Sequence, residues 1–246
     1  MGFHDYFSGH ARAYADARPD YPDSLFEFLA EQCQYRRMAW DCATGNGQAA
    51  SSLGARFQQV LATDAGLDQL AAGRGKPAIL YCAALAEAVP LPALSVDLIT
   101  VAQALHWFDL DRFFAECDRV LVSAGVLAVW SYDLCQVDQG VDRVTGHLYG
   151  ELLDDFWPPQ RRLVEDRYRS VNFPFSRQAA PDFYLRRSWR REHFLAYLRS
   201  WSATQRYLRA RGTDPLALIA AELAAVWPDE VEKTVEWPLA LFVCRK

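Results

Sequence analysis

Residues 37–64 constrain this chain more than any other stretch. An apolar run from Met38 to Cys42 carries an acid near its end, Asp41. A loop of small residues follows, with Gly45 and Gly47. A helical stretch comes next, then a second apolar run, Val60 to Thr63, that closes on another acid, Asp64. Strand, tight loop, helix, strand, acid is the order by which a nucleoside-bearing ligand is gripped at the top of a parallel sheet. The glycines let backbone approach a ligand with no Cβ in the way. Asp64, nineteen residues past Gly45, stands where a carboxylate can accept hydrogen bonds from both hydroxyls of a ribose.

The glycines alone do not choose the nucleoside. Gly45-x-Gly47-x-x-Ala50 also satisfies the dinucleotide pattern G-x-G-x-x-G/A, and an ordinary turn in a βαβ unit has the same composition. Asp41 discriminates. A dinucleotide sets a doubly charged pyrophosphate against this loop, and an acid beside it repels that charge. S-adenosylmethionine has no phosphate, and its sulfonium and ammonium groups tolerate or favour a nearby carboxylate. An NAD(P)-dependent oxidoreductase and a non-catalytic cofactor- or nucleic-acid-binding module remain the competing readings.

Asp41-Cys42-Ala43-Thr44-Gly45-Asn46-Gly47 resembles the D-x-G-x-G-x-G motif of class I S-adenosylmethionine-dependent methyltransferases, type 11-like. Ala86-Glu87-Ala88-Val89-Pro90-Leu91 is similar to their A-E-x-L-P segment, and Ser95 to Val101 to their fourth strand. Ala102 to Phe108 resembles the following loop in the trans-aconitate methyltransferase-like subgroup. The one departure in the first motif is Ala43 in place of a glycine. The resemblance implies S-adenosylmethionine as cofactor. Asp41 and the backbone of Ala43, Thr44, Gly45 and Gly47 then cradle its methionine end, and Asp64 holds the ribose. Ala65, Gln69, Leu85 and Ala86 border the adenine, and Gln103 lies under the sulfonium. Tyr14 and Arg18 fall on the N-terminal segment that closes over the cofactor in similar proteins. Arg18 suits the cofactor carboxylate and Tyr14 the sulfonium.

His106 and Trp107 follow the fourth strand, at the edge of the sheet where ligands sit in such folds. His106 is the candidate catalytic residue, able to deprotonate or orient an acceptor; a structural histidine bonded to backbone is the equal alternative. Trp107 and Trp201 are candidates for the substrate pocket. Methyl transfer is an in-line displacement that alignment and exclusion of water accelerate, so a dedicated base is not obligatory. The remaining histidines have no ligand spacing among themselves or with the cysteines, so no metal is expected.

Net charge is −5, against a general nucleic-acid binder. Yet thirteen arginines and only four acids lie between Arg161 and Arg211. That segment reads either as a salt-bridged surface or as a cap that attracts an anionic substrate. The six cysteines are scattered without C-x-x-C, which suits a reduced cytoplasm. No apolar run approaches the ~20 residues of a membrane span. The start, Met-Gly-Phe-His-Asp-Tyr, does not read as a signal peptide.

The expected fold is α/β: a doubly wound, mostly parallel seven-stranded sheet with an antiparallel C-terminal strand and a helical cap. Strands are expected at 37–42, 58–63, 78–82, 96–102, 126–131 (opened by Gly125), near 182–189 and at 234–244. Helices are expected at 23–34, 47–56, 67–73, 109–121, 140–156 and from 191 to 225 with breaks at Gly212 and Pro215. Phe194, Leu198, Trp201 and Leu208 form a candidate buried stripe. The domain reading is a lid (1–34), a cofactor-binding core (35–135), an arginine-rich cap with one core strand (136–230) and a final strand (231–246), in which Pro238 suggests a bulge or an edge.

Overall fold

The computed structural model describes residues 20–73, 78–132 and 134–246. The strands are β1 (Met38–Cys42), β2 (Gln59–Asp64), β3 (Ile79–Ala83), β4 (Val96–Ala102), β5 (Leu121–Tyr132), β6 (Ser176–Gln178), β7 (Tyr184–Trp189) and β8 (Lys233–Arg245). They lie in the order β3-β2-β1-β4-β5-β8-β6, with β7 also paired to β8. β1 to β5 are mutually parallel and β8 runs against β5. The chain winds outward from β1 through β2 to β3, then returns to place β4 on the other side of β1. That reversal opens a crevice beyond the carboxyl ends of β1 and β4, where ligands bind in open α/β sheets.

Both faces of the central strands are buried, so their sequences run nearly continuously apolar. The two-residue period still sorts side chains by face. Ala39, Val60, Ala62, Leu98 and Ala128 pack under α1 (Asp23–Glu31) and α2 (Gln48–Gly54), against Leu25, Phe26, Leu29, Ala50 and Leu53. Trp40, Ile99, Val101, Leu127 and Val129 face the other way, against Phe113, Cys117 and Val120 of α4 (Leu110–Val120). α3 (Leu67–Gly73) links β2 to β3. A third cluster forms the cap: Val141 and Val144 of α5 (Gln139–His147), Phe194 and Leu198 of α7 (Arg191–Arg199), and Ile219 and Leu223 of α9 (Leu216–Val226) close on Val235 and Trp237 of β8. α6 (Arg161–Glu165) and α8 (Ser202–Arg211) complete the described helices.

Several expectations needed correction. Eight strands are described, not seven, because three-residue β6 is too short to leave a pattern. β5 begins at Leu121, not after Gly125. Gly125 lies inside it, at a tight spot where a Cβ would meet Val122 O at 2.9 Å, next to Ala124 at φ 61°. At Pro238 the expected edge holds on one side: it pairs with Tyr184 of β7, while the ladder with β5 on the other side begins only at Leu239. The 140–156 helix ends at His147 and continues as a π-helical turn, Leu148–Leu152, and a 3₁₀ turn, Asp154–Phe156. Leu208 is 37% exposed, so the buried stripe stops at Trp201. All six cysteines are free thiols. Among the described residues no helix is long and apolar enough to cross a membrane.

Candidate active site

The loop after β1 alternates left-handed residues: Ala43 at φ 54°, Gly45 at 57° and Gly47 at 82°. An L-residue in that region costs about 1–2 kcal/mol, so Ala43 takes a strain that a glycine would avoid. Backbone bonds hold the shape. Thr44 N donates to Thr63 O at 2.8 Å, and Gly45 N to Asp64 Oδ2 at 2.9 Å. Asp64 Oδ1 accepts from Gly66 N at 2.8 Å. The acid at the end of β2 therefore ties together the loops that follow β1 and β2.

Asp41 behaves differently. It is 1% exposed, and its oxygens are committed to the protein: Thr44 Oγ1 at 2.5 Å, Thr100 Oγ1 at 2.7 Å and Ala50 N at 3.0 Å. Burial lifts its pKa to about 6 from 3.8, against the pull of those three donors. The carboxylate that the sequence offers to a ligand is thus spent on pinning β1, β4 and the start of α2 around the loop.

The two glycines also part company. Among the described residues a Cβ on Gly45 would meet only Gln69 Oε1, at 3.8 Å, so they leave that face of the loop open. A Cβ on Gly47 would lie 2.3 Å from the Tyr81 hydroxyl, which reaches across from β3. Gly47 is required by its φ and by the tyrosine.

On the far side of the crevice, Gln103 follows β4 at φ 56°. Its N donates to Trp130 O at 2.9 Å and its Nε2 to Tyr132 O at 2.8 Å, while Oε1 is buried without a partner among the described residues. A buried acceptor with no donor costs about 1–3 kcal/mol unless something fills the need. The Asp64 carboxylate and the Gln103 oxygen, on either side of the loop at Gly45, are acceptors suited to ribose hydroxyls and to a cation. That acceptor set fits the chemistry of S-adenosylmethionine.

The flanking residues divide. Gln69 borders Gly45 and Gly66, beside Asp64. Leu85, past β3, is 51% exposed, as an apolar border for a purine requires. Ala86 is instead packed into the main core, so its side chain is filling. Ala65 is half-buried. Tyr14 and Arg18 lie outside the described residues.

His106 stands on a 3₁₀ turn, Leu105–Trp107, directly beyond β4. Its Nδ1 is 2.8 Å from the Tyr168 hydroxyl. Burial, helped by the Arg161 charge, pushes its pKa down to about 3. A histidine that is neutral throughout the physiological range is a poor proton acceptor at pH 7. Trp107 packs at 4.7 Å from its ring. Trp201 lies in the cap with Tyr149 and Trp157, ring centroids 5.9 and 5.6 Å away. Arg161 joins the two groups. Its guanidinium lies 5.4 Å from the Tyr149 ring and 5.0 Å from the Trp157 ring, and its Nε donates to the Tyr149 hydroxyl at 2.9 Å.

Residues 40–129 match the family described as methyltransferase domain. A Dictyostelium discoideum protein named as a methyltransferase is 30% identical over 252 residues, covering 99% of this chain and 96% of its own. The chain belongs to the class I S-adenosylmethionine-dependent methyltransferases. A solved structure named for a type II methyltransferase from Anaeromyxobacter dehalogenans is 43% identical, with a TM-score of 0.87 over 93% of this chain and 97% of that one. A Saccharomyces cerevisiae protein named as an S-adenosylmethionine-dependent methyltransferase is 24% identical, covering 95% and 94%. These matches establish the family and the cofactor without narrowing the enzyme to the trans-aconitate subgroup.

Five arginines of the methyltransferase's arginine-rich segment pair with acids outside it. Arg186 pairs with Glu236, Arg187 with Asp20, Arg191 with Asp229, Arg190 with Glu232 and Arg199 with Asp214. Exposed pairs of this kind contribute about 0–1 kcal/mol each. The acids come from outside the segment, which explains why its charge looked unbalanced. Arg161 also lies against aromatic faces, those of Tyr149 and Trp157, beside the candidate site. Sequence reading did not single out Arg161, Tyr149, Trp157 or Tyr168. Tyr149 lies on the π-turn, Trp157 and Tyr168 on irregular chain and Arg161 at the start of the five-residue α6, all too short or irregular for a period to mark a face; the π-turn is itself a frequent mark of functional sites.

Proposed function

We propose that this methyltransferase transfers its methyl group to a carboxylate oxygen of a small acid held beneath Arg161. The observation that carries the reading is the placement of that guanidinium. Stacked on Tyr149 and Trp157 and bonded to the Tyr149 hydroxyl, it is held before an acceptor arrives, which lowers the entropic cost of a bidentate carboxylate contact. Its charge is felt at both His106 and Tyr168, so it belongs to the same enclosure.

Bound S-adenosylmethionine supplies an electrophilic methyl on a positively charged sulfur. Asp64 and the loop from Ala43 to Gly47 would hold it, with Gln69 and Leu85 beside the adenine and the Gln103 oxygen toward its charged end. Asp41 braces that loop from inside. On this reading residues 35–135 and the last strand form the cofactor half, and 136–230 the acceptor half with Trp107 and Trp201 at its walls. Carboxylic acids have pKa values near 4, so such an acceptor arrives ionised and needs no base. The carboxylate oxygen contributes the electron pair of the new C–O bond, sulfur keeps the pair of the bond it loses, and no proton moves.

A labelled methyl donor with a panel of small mono- and dicarboxylic acids, amines and phenols tests this. We expect label in base-labile methyl esters, and an acceptor KM raised at least tenfold by Arg161→Gln with the cofactor Kd unchanged. Label confined to amines or phenols would overturn the proposal.

A further inference from the structure

Two consecutive non-glycine residues, Arg167 and Tyr168, have left-handed backbone, at φ 53° and 56°. Strain of this kind persists only where surrounding structure imposes it, and it gathers at functional sites. Here it turns Tyr168 fully inward, 0% exposed, and sets its hydroxyl 2.8 Å from His106 Nδ1. The backbone N–H of His106 also acts on that oxygen, which leaves the hydroxyl hydrogen for the ring. A buried hydroxyl that merely accepted from an Nδ1–H would leave its own hydrogen unmatched. Donating to a bare Nδ1 satisfies both atoms. The ring's own proton must then be on Nε2, since the partner of one imidazole nitrogen dictates the state of the other.

We propose that Tyr168 is a positioning residue that holds His106 as an Nε2–H hydrogen-bond donor toward the acceptor, and not as the base that deprotonates it. The groups packed around the imidazole agree. From α6 comes the Arg161 cation; from the linker after it, the Tyr168 phenol; from its own turn, the Trp107 indole. Among the described residues the charge that acts on the ring is the Arg161 cation, which disfavours an imidazolium, and burial pushes the ring toward the neutral form. The inference rests on the carboxylate reading for its chemistry. An acceptor that arrives ionised needs a donor to orient its non-reacting oxygen, and Nε2–H beside Arg161 is such a donor.

The test joins spectroscopy to kinetics in the full-length protein. Imidazole ¹⁵N NMR of the wild type should show one histidine with bare Nδ1 and protonated Nε2, unchanged from pH 5 to 8. Its Nδ1 resonance should move in Tyr168→Phe. With the acid identified above, His106→Gln keeps an N–H near the Nε2 position and should retain kcat within about tenfold, whereas His106→Ala should lose about a hundredfold; a glutamine cannot act as a base. Tyr168→Phe should lower kcat about tenfold and leave the cofactor Kd alone. A protonated Nδ1, a ring that titrates between pH 5 and 8, or His106→Gln as inactive as His106→Ala overturns the positioning role. If Tyr168→Phe does not fold, the wild-type spectrum and the His106 pair still decide. An enzyme that uses none of the acids yet shows the bare Nδ1 refutes the carboxylate reading alone.

Discussion

Asp41→Asn separates a brace from a ligand. The carboxylate is buried and titrates near 6 in the folded protein, against 3.8 for an unperturbed group. A folded-state pKa above the unfolded one means that the folded chain binds the proton more tightly. The associated stability is therefore fully present below about pH 4 and is lost as pH rises through 6. The difference of roughly two pKa units, at about 1.4 kcal/mol each, comes to about 3 kcal/mol. Asparagine suits the site. Its amide nitrogen can face Thr100 Oγ1, which can accept, and its oxygen can take the Thr44 and Ala50 donors. We expect Asp41→Asn to be more stable than wild type at pH 7, by up to about 3 kcal/mol, and the gap to close as pH falls from 6 to 4. Urea unfolding at pH 4, 5, 6 and 7 measures both. Cofactor affinity should stay within a few-fold of wild type, because no oxygen of Asp41 is left facing the crevice. A variant less stable than wild type at pH 7, or one that loses cofactor binding a hundredfold, refutes this reasoning.

Three further outcomes are open to measurement. Asp64→Ala removes the charged acceptor for the ribose and should weaken S-adenosylmethionine binding by about 10–100-fold in calorimetric titration; an unchanged Kd would remove Asp64 from the site. Gly47→Ala combines left-handed strain with overlap on the Tyr81 hydroxyl and should cost about 2–5 kcal/mol in denaturant unfolding. Adding Tyr81→Phe should recover part of that loss, and no recovery would deny the steric half of the explanation. Ala43→Gly should stabilise the fold by up to about 1 kcal/mol, since relief of strain outweighs the greater flexibility of the unfolded chain; a loss instead would show the left-handed turn at 43 to be absent.

The cofactor half was readable because its strands are continuous apolar runs and each ends on a chemically distinctive residue. Asp64 and the loop glycines fall where spacing puts them. Spacing does not reveal which partner an acid has, so Asp41 looked like a ligand until Thr44, Thr100 and Ala50 were seen around it. The same holds for Gly47, whose need for glycine comes from Tyr81, a residue two strands away in the sheet. The cap was legible as helices but not as a site. Arg161 and Tyr168 lie 55 and 62 residues beyond His106, on chain with no regular period, and only the fold brings them together. The arginine excess was visible, yet part of it is matched by acids such as Asp20, Asp229 and Glu236, which are remote in sequence.

The central claim is that the crevice between the ends of β1 and β4 holds the methyl donor. A crystal structure of the enzyme with S-adenosylhomocysteine tests it most directly. We expect both ribose hydroxyls within hydrogen-bond reach of the Asp64 carboxylate, the amino-acid end between the Gly45 loop and Gln103, and Asp41 still bonded to Thr44 and Thr100. A nucleoside found elsewhere, or Asp64 contacting protein alone with ligand present, would contradict it.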